Sequence, residues 1–276
     1  DLHYECGVFF ARNGKHVLME KPLCNTEEEC LRLIEICEEE NVKLMCAYPV
    51  PYRPAVRKLK EMVDSGEYGQ IMQMSIWTEQ LTGINLDVCD PDRAWTISNR
   101  LGGGQLFSHG CHYIDLMLWM LGKPLRGTHI GTNKCTPWMD REGTSNVCLE
   151  FENGATGVFV TTTGDAPGTN RLEITGTKGK LVCDYSGLTF TRNLTDEREW
   201  CFTCPEGFKA PPSETVKVET DGRNEQHPEV LNKFAAHILR GEALVADGRE
   251  GIRGLMLSNA MHLSAWENRE VSLPID

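Results

Sequence analysis

Apolar residues first recur at helical spacing near the start of the chain. Tyr4, Val8, Phe9 and Ala11 share one side before Asn13-Gly14 ends the pattern, so residues 4–13 read as a helix. His16 to Pro22 follows as a short apolar strand that ends in the charged pair Glu20-Lys21 and a proline. Asn25-Thr26 before Glu27, Glu28 and Glu29 is a helix start, a capping side chain followed by acids at the positive end of the dipole. Leu31, Ile34 and Cys37 carry that helix to Glu39 or Glu40, and Val42 to Ala47 is a second buried strand. Strand, helix and strand in this order predict a parallel pair. Tyr48-Pro49-Val50-Pro51 then breaks regular structure, and the chain leaves its first unit there.

The next segments change character. Pro54 to Ser65 predicts a helix with Val56, Leu59 and Met62 inward and Gly66 past its end, and Ile71 to Thr78 alternates as a strand. Between residues 130 and 190 the alternation is sustained. Val147-Leu149-Phe151, Thr156-Val158-Val160 and Leu172-Ile174 are separated by Asn153-Gly154 and Gly176-Thr177-Lys178-Gly179, the signature of antiparallel hairpins. Residues 204–213 read as an exposed loop, 228–239 and 248–266 as helices, and Val271 as a last short strand. The resulting fold class is α/β: the C-terminal part of a Rossmann-type parallel sheet over residues 1–50, then an α+β domain with a large, mainly antiparallel open sheet over residues 51–276.

Composition narrows the chemistry. With 276 residues, 40% of them hydrophobic, the chain is long enough for two packed units. A net charge of -12 without a basic run disfavours nucleic acid as a partner. Twelve scattered cysteines lack the density of a secreted disulfide scaffold, and reduced thiols in the cytoplasm are the expectation. Cys201 and Cys204 have metal-like spacing without a second pair, so no metal is expected. No apolar run predicts a membrane span.

Two segments carry candidate chemistry. Lys21 ends a strand where open α/β sheets bind ligands, although a strand-end lysine is also an ordinary surface charge. Gly102-Gly103-Gly104 precedes a helix holding Ser108, His109, His112 and Asp115. In an unbroken α-helix Ser108, His112 and Asp115 fall at i, i+4 and i+7 and share a face. His112 is either a core histidine held by Asp115 or a proton-exchanging group. Tyr52 and Arg53 at the crossover are candidates to line a cleft, and Trp95 to stack on a sugar ring.

Gly14 to Pro22, Asn41 to Tyr48, Tyr52-Arg53-Pro54-Ala55, Gly102 to Asp115, Ile174 to Gly179, Asp247 to Gly251 and Val271 to Pro274 together resemble the Gfo/Idh/MocA oxidoreductases over nearly the whole chain. The resemblance implies a Rossmann domain joined to an open-sheet domain used for homo-oligomer contacts. It also implies NAD or NADP as cofactor and hydride transfer at a hydroxyl of a sugar, polyol or related carbohydrate. Lys21 and His112 match the family's catalytic lysine and histidine. Glu20, Lys21 and Pro22 fall beside the cofactor, and Ser108, His109, Asp115, Tyr52, Arg53 and Trp95 toward the substrate. Ser108 stands where many members carry an aspartate, and a hydroxyl cannot raise the histidine's basicity as a carboxylate does. Two alternatives therefore stay open: cofactor-assisted glycoside cleavage, and a sugar-binding or oligomer-forming unit without dinucleotide. The glycine fingerprint of a dinucleotide fold is not found before Lys21, and the expectation is that the first βαβ units precede Asp1.

Overall fold

The computed structural model describes residues 2–79, 104–134, 137, 141–220 and 225–274. Helix α1 (His3–Arg12) ends where Gly14 adopts a φ of 69°, and it leads into strand β1 (Val17–Met19). Thr26 caps α2 (Glu27–Glu39) in a reciprocal box: its hydroxyl accepts the Glu29 N–H at 3.2 Å, and the Glu29 carboxylate accepts the Thr26 N–H at 3.3 Å. Strand β2 (Leu44–Cys46) lies parallel to β1, with Val17 beside Leu44 and Met19 beside Cys46. The expected strand-helix-strand unit is present, as a two-stranded sheet.

Helix α3 (Pro54–Asp64) carries Pro54 in its first turn, where a missing N–H costs nothing, and β3 (Ile71–Glu79) follows. A π-turn over Leu106–Gly110 leads into α4 (Cys111–Leu121). Six strands then run in succession: β4 (Pro124–Thr132), β5 (Thr144–Phe151), β6 (Thr156–Thr162), β7 (Thr169–Gly176), β8 (Gly179–Asp184) and β9 (Gly187–Asn193). After α5 (Glu197–Thr203) come β10 (Ser213–Val218), α6 (Gln226–Arg240), α7 (Gly248–Glu267) and β11 (Val271–Ser272). The pattern of hydrophobic positions contains no expectation of α5 or β10, which are short, and β10 is almost entirely exposed.

The large sheet has nine strands in the order β10-β9-β8-β7-β3-β6-β5-β4-β11. Every neighbouring pair is antiparallel except β3 with β6, where Gln73 pairs with Thr156 and Glu79 with Thr162. Its inward residues, among them Met74, Ile76, Val147, Leu149, Phe159, Leu172 and Ile174, pack against α3, α4 and α7 in one continuous core. Helices thus cover one face, and the strands alternate because the other face is not covered in the same way.

Residues 246–255 return from the far end of the chain to the small sheet. The Cys46 N–H donates to the Ala246 carbonyl at 3.0 Å, and Asp247 bridges to Met45. Glycine permits the close approach of α7, because a Cβ on Gly248 would lie 2.8 Å from Leu44 Cδ2 and one on Gly251 2.8 Å from Cys46 Cβ. Ile252 and Leu255 join the first unit's core together with Phe107 and Cys111. The small sheet is therefore held by both the chain's middle and its end.

Candidate active site

Strands β1 and β2 end side by side, and their exits Glu20-Lys21 and Ala47-Tyr48-Pro49 open toward the start of α4. Leu18, Glu20, Lys21, Ala47, Pro49 and His112 line a cavity of about 290 Å³ with His227, Val230 and Leu231 of α6. The Lys21 ammonium donates to the carbonyl of Ser108 and so ties the strand end to the π-turn. The structure thus brings the proposed lysine and histidine to one cavity.

The π-turn corrects the single-face expectation for Ser108, His112 and Asp115. Carbonyls in a π-turn face N–H groups five residues on rather than four, so positions before Gly110 are out of phase with those after it. What Ser108 offers is its main-chain oxygen to Lys21. Asp115 is buried, and its Oδ2 has no hydrogen-bond partner, as is true of His112 Nδ1. The two side chains do not pair, which removes the reading of His112 as a core histidine held by Asp115.

Electrostatics in this region follow from burial. His112 has its pKa lowered to about 3, first by loss of water and then by the charge of Lys21. His109 is lowered to about 4 for the same reasons, and its Nε2 lies 2.9 Å from the Thr78 hydroxyl. Burial raises Asp115 to about 8, with Glu250 adding to the effect. At neutral pH both histidines are uncharged and Asp115 holds its proton. Neither His109 nor Asp115 supplies the negative charge that an aspartate at position 108 would bring.

The remaining candidates separate. Pro22 is buried and does not line the cavity, and its carbonyl contacts His3 Nδ1 at 2.8 Å. Tyr52 packs with Met45, Val230 and Phe234, and burial pushes its hydroxyl up to about 12. Arg53 donates from Nε to the Gln226 side chain at 2.7 Å and lines a neighbouring cavity of about 450 Å³ with Tyr113, Asn170 and Tyr185. Trp95 lies outside the described residues. His227 was not singled out from the sequence. It lies one residue before Pro228, and only the fold of α6 brings it to the cavity beside His112.

Among the described residues no group of three or more His, Cys, Asp or Glu side chains is placed to hold a metal ion. No helix among them is long and apolar enough to cross a membrane. Each of their cysteines is a free thiol.

A lysine-bearing parallel strand end that lines one cavity with an uncharged histidine, beside a helix-backed open sheet, defines an α/β protein with a cleft at the ends of its parallel strands. The chain belongs to the Gfo/Idh/MocA oxidoreductase family: residues 1–48 match the family's NAD-binding Rossmann fold and residues 56–182 the GFO/IDH/MocA C-terminal domain. It is 26% identical to myo-inositol 2-dehydrogenase of Thermotoga maritima over 99% of this chain and 77% of that relative. A D-xylose 1-dehydrogenase (NADP(+)) of Haloferax volcanii is also 26% identical, with the same coverage of each chain. Levoglucosan dehydrogenase in complex with NADH and levoglucosan has the same fold, with a TM-score of 0.82 at 20% identity over 100% of this chain and 78% of that one.

Proposed function

We propose that the cleft serves transfer of a hydride between a nicotinamide cofactor, NAD or NADP, and a hydroxyl-bearing carbon of a sugar, polyol or related carbohydrate. The observation that carries the reading is Lys21 and His112 lining one cavity at the carboxyl ends of two parallel strands, the histidine uncharged with an unpartnered nitrogen. Relatives named as inositol and xylose dehydrogenases support the substrate class. The strand ends suit a cofactor ring, since Glu20, Lys21, Ala47 and Pro49 border the cavity there and His112 Nδ1 faces no protein partner. When bound, nicotinamide supplies the acceptor for a hydride.

The chain's own groups do the rest. Lys21 exchanges its contact with the Ser108 carbonyl for the substrate oxygen and stabilises charge developing there. His112 receives the hydroxyl proton as the C–H bond breaks, so the C–H and O–H bonds are lost together and a C=O bond forms. Burial keeps His112 neutral and so able to accept this proton, and in the reverse direction its protonated form returns the proton to the carbonyl oxygen. Arg53, Tyr113 and Asn170 border the neighbouring cavity and extend the cleft toward a longer substrate. The less covered sheet face is the surface on which copies of the chain would pair, and free thiols accord with a reducing cytoplasm.

Absorbance of the reduced cofactor, followed with a panel of polyols and aldoses, tests the assignment. Turnover in the native protein and its suppression in Lys21→Ala and His112→Ala are expected. Native rates in both variants would remove the two residues from the mechanism.

A further inference from the structure

A polar cavity of about 240 Å³ opens where β4 ends, β5 begins and α7 closes. It is lined by His129, Gly131 and Thr132 of β4, by Arg141 and Glu142, and by His262 and Trp266 of α7. None of these residues lines the cavity of Lys21 and His112. His129 and His262 are 4% and 3% exposed, yet the Nε2 atom of each is buried without a hydrogen-bond partner, as are Nε and Nη1 of Arg141. A buried polar atom left unpaired costs about 1–3 kcal/mol, and four of them converging on one hollow need a reason.

The bonds already made decide which ligand chemistry fits. His129 Nδ1 lies 3.0 Å from the Met261 carbonyl, which only accepts, so Nδ1 carries the proton. Burial holds this imidazole below its ordinary pKa, and its Nε2 is a lone-pair acceptor. Gly131 leaves room beside that ring edge, because a Cβ there would lie 3.2 Å from Nε2 and 3.1 Å from Cε1. Glu142 Oε1 accepts the Leu106 N–H at 2.9 Å, while Oε2 stands 3.9 Å from His262 Nδ1. Arg141 lies over the rings of Phe107 and Trp266, 5.9 and 5.8 Å from their centroids, with unused donors. His262 is stacked between the same two rings. Trp266, 71% exposed, forms an aromatic wall at the mouth.

The lining therefore offers both acceptors and donors. Its two formal charges, on Arg141 and Glu142, oppose each other, which suits neither a free anion nor a free cation. Hydroxyl groups both donate and accept, and the C–H face of a ring packs on an aromatic wall. We propose that this cavity is a second ligand site, which takes a small neutral polyhydroxylated molecule whose hydroxyls donate to His129 Nε2 and accept from Arg141.

The test is side-chain ¹H–¹⁵N NMR of the whole chain with ¹⁵N-labelled histidine, titrated with myo-inositol, with glycerol and, separately, with inorganic phosphate. Saturable movement of the His129 and His262 Nε2 resonances with a polyol is expected, and it should persist in Lys21→Ala and His112→Ala. Binding should weaken at least tenfold in Gly131→Ala, which fills the space beside His129, and in Arg141→Met, which keeps an apolar stem and removes the donors. Persistence in the cleft variants separates this site from the proposed catalytic one, so either assignment can fail without the other. Absence of movement with either polyol overturns the proposal. So does movement with phosphate alone, or movement that Lys21→Ala and His112→Ala abolish while Gly131→Ala retains it.

Discussion

Each of the two histidine-lined hollows sets an imidazole with a lowered pKa near one cation, but their surroundings differ. In the cleft, His112 Nδ1 is unpartnered and Lys21 arrives on the end of a strand, held by one main-chain carbonyl. In the second cavity, His129 is locked by the Met261 carbonyl, and Arg141 is set over two aromatic rings beside a buried carboxylate. Desolvation lowers the pKa in both places, so a depressed histidine pKa does not by itself mark a proton-transfer site. What distinguishes the cleft is a cation on a strand end whose partner is a single main-chain carbonyl, beside an imidazole with an unpartnered nitrogen.

The sharpest way to break this contrast is turnover. Removing a proton-transfer group costs on the order of 10²–10⁴ in rate, so His112→Ala is expected to lower kcat by about that factor while thermal unfolding shows the fold intact. Next in size is the pH dependence of stability. A histidine whose pKa is lower in the folded chain binds protons more readily when unfolded, so stability is lost as pH falls below about 6.5. His109, His112 and His262, lowered to about 4, 3 and 3, each remove about 2 kcal/mol between pH 7 and 5. Urea denaturation at the two pH values should show His262→Phe, which keeps the ring stack, losing about 2 kcal/mol less than the native chain.

Asp115 works in the opposite sense. Its pKa, raised to about 8, makes the folded chain retain a proton that the unfolded chain releases near pH 4, so this group destabilises increasingly as pH rises from about 4 to 8. Asp115→Asn is expected to stabilise the protein by about 2 kcal/mol more at pH 7 than at pH 5 in the same measurement. The smallest effect concerns the helix common to both regions. Asp247 accepts the N–H groups of Arg249 and Glu250, each at 2.9 Å, at the start of α7, whose other end carries His262. Asp247→Ala should cost about 1 kcal/mol of stability, seen as a lower urea midpoint with an unchanged slope.

The two regions were unequally legible from the chain alone. Lys21 could be placed because a strand-end residue has a fixed topological address, and His112 because its helix is apolar on the opposite side. Their meeting was less accessible, since the Lys21 partner is a main-chain carbonyl, an atom every residue has. The π-turn was missed because one extra residue in a turn leaves α-helical spacing apparently intact, and it put Ser108 out of phase with His112. The second cavity was not anticipated at all. His129 and His262 lie 133 positions apart, on a strand and a helix whose own patterns read only as core. The hairpins, by contrast, followed directly from alternation with turn residues between, and Val147, Leu149 and Phe151 all face inward as expected.

Strand β3 has a consequence for how the protein is made. It occupies the middle of the nine-stranded sheet, and its partners are β6, beginning at Thr156, and β7, ending at Gly176. During synthesis from the N-terminus this strand leaves the ribosome with both edges unpaired until β7 is complete at Gly176, about a third of the chain later. Such distant pairings slow folding and lengthen the time an apolar strand is open to other chains. Met74 and Ile76, which join the finished core, lie on that strand and stay uncovered until its partners arrive.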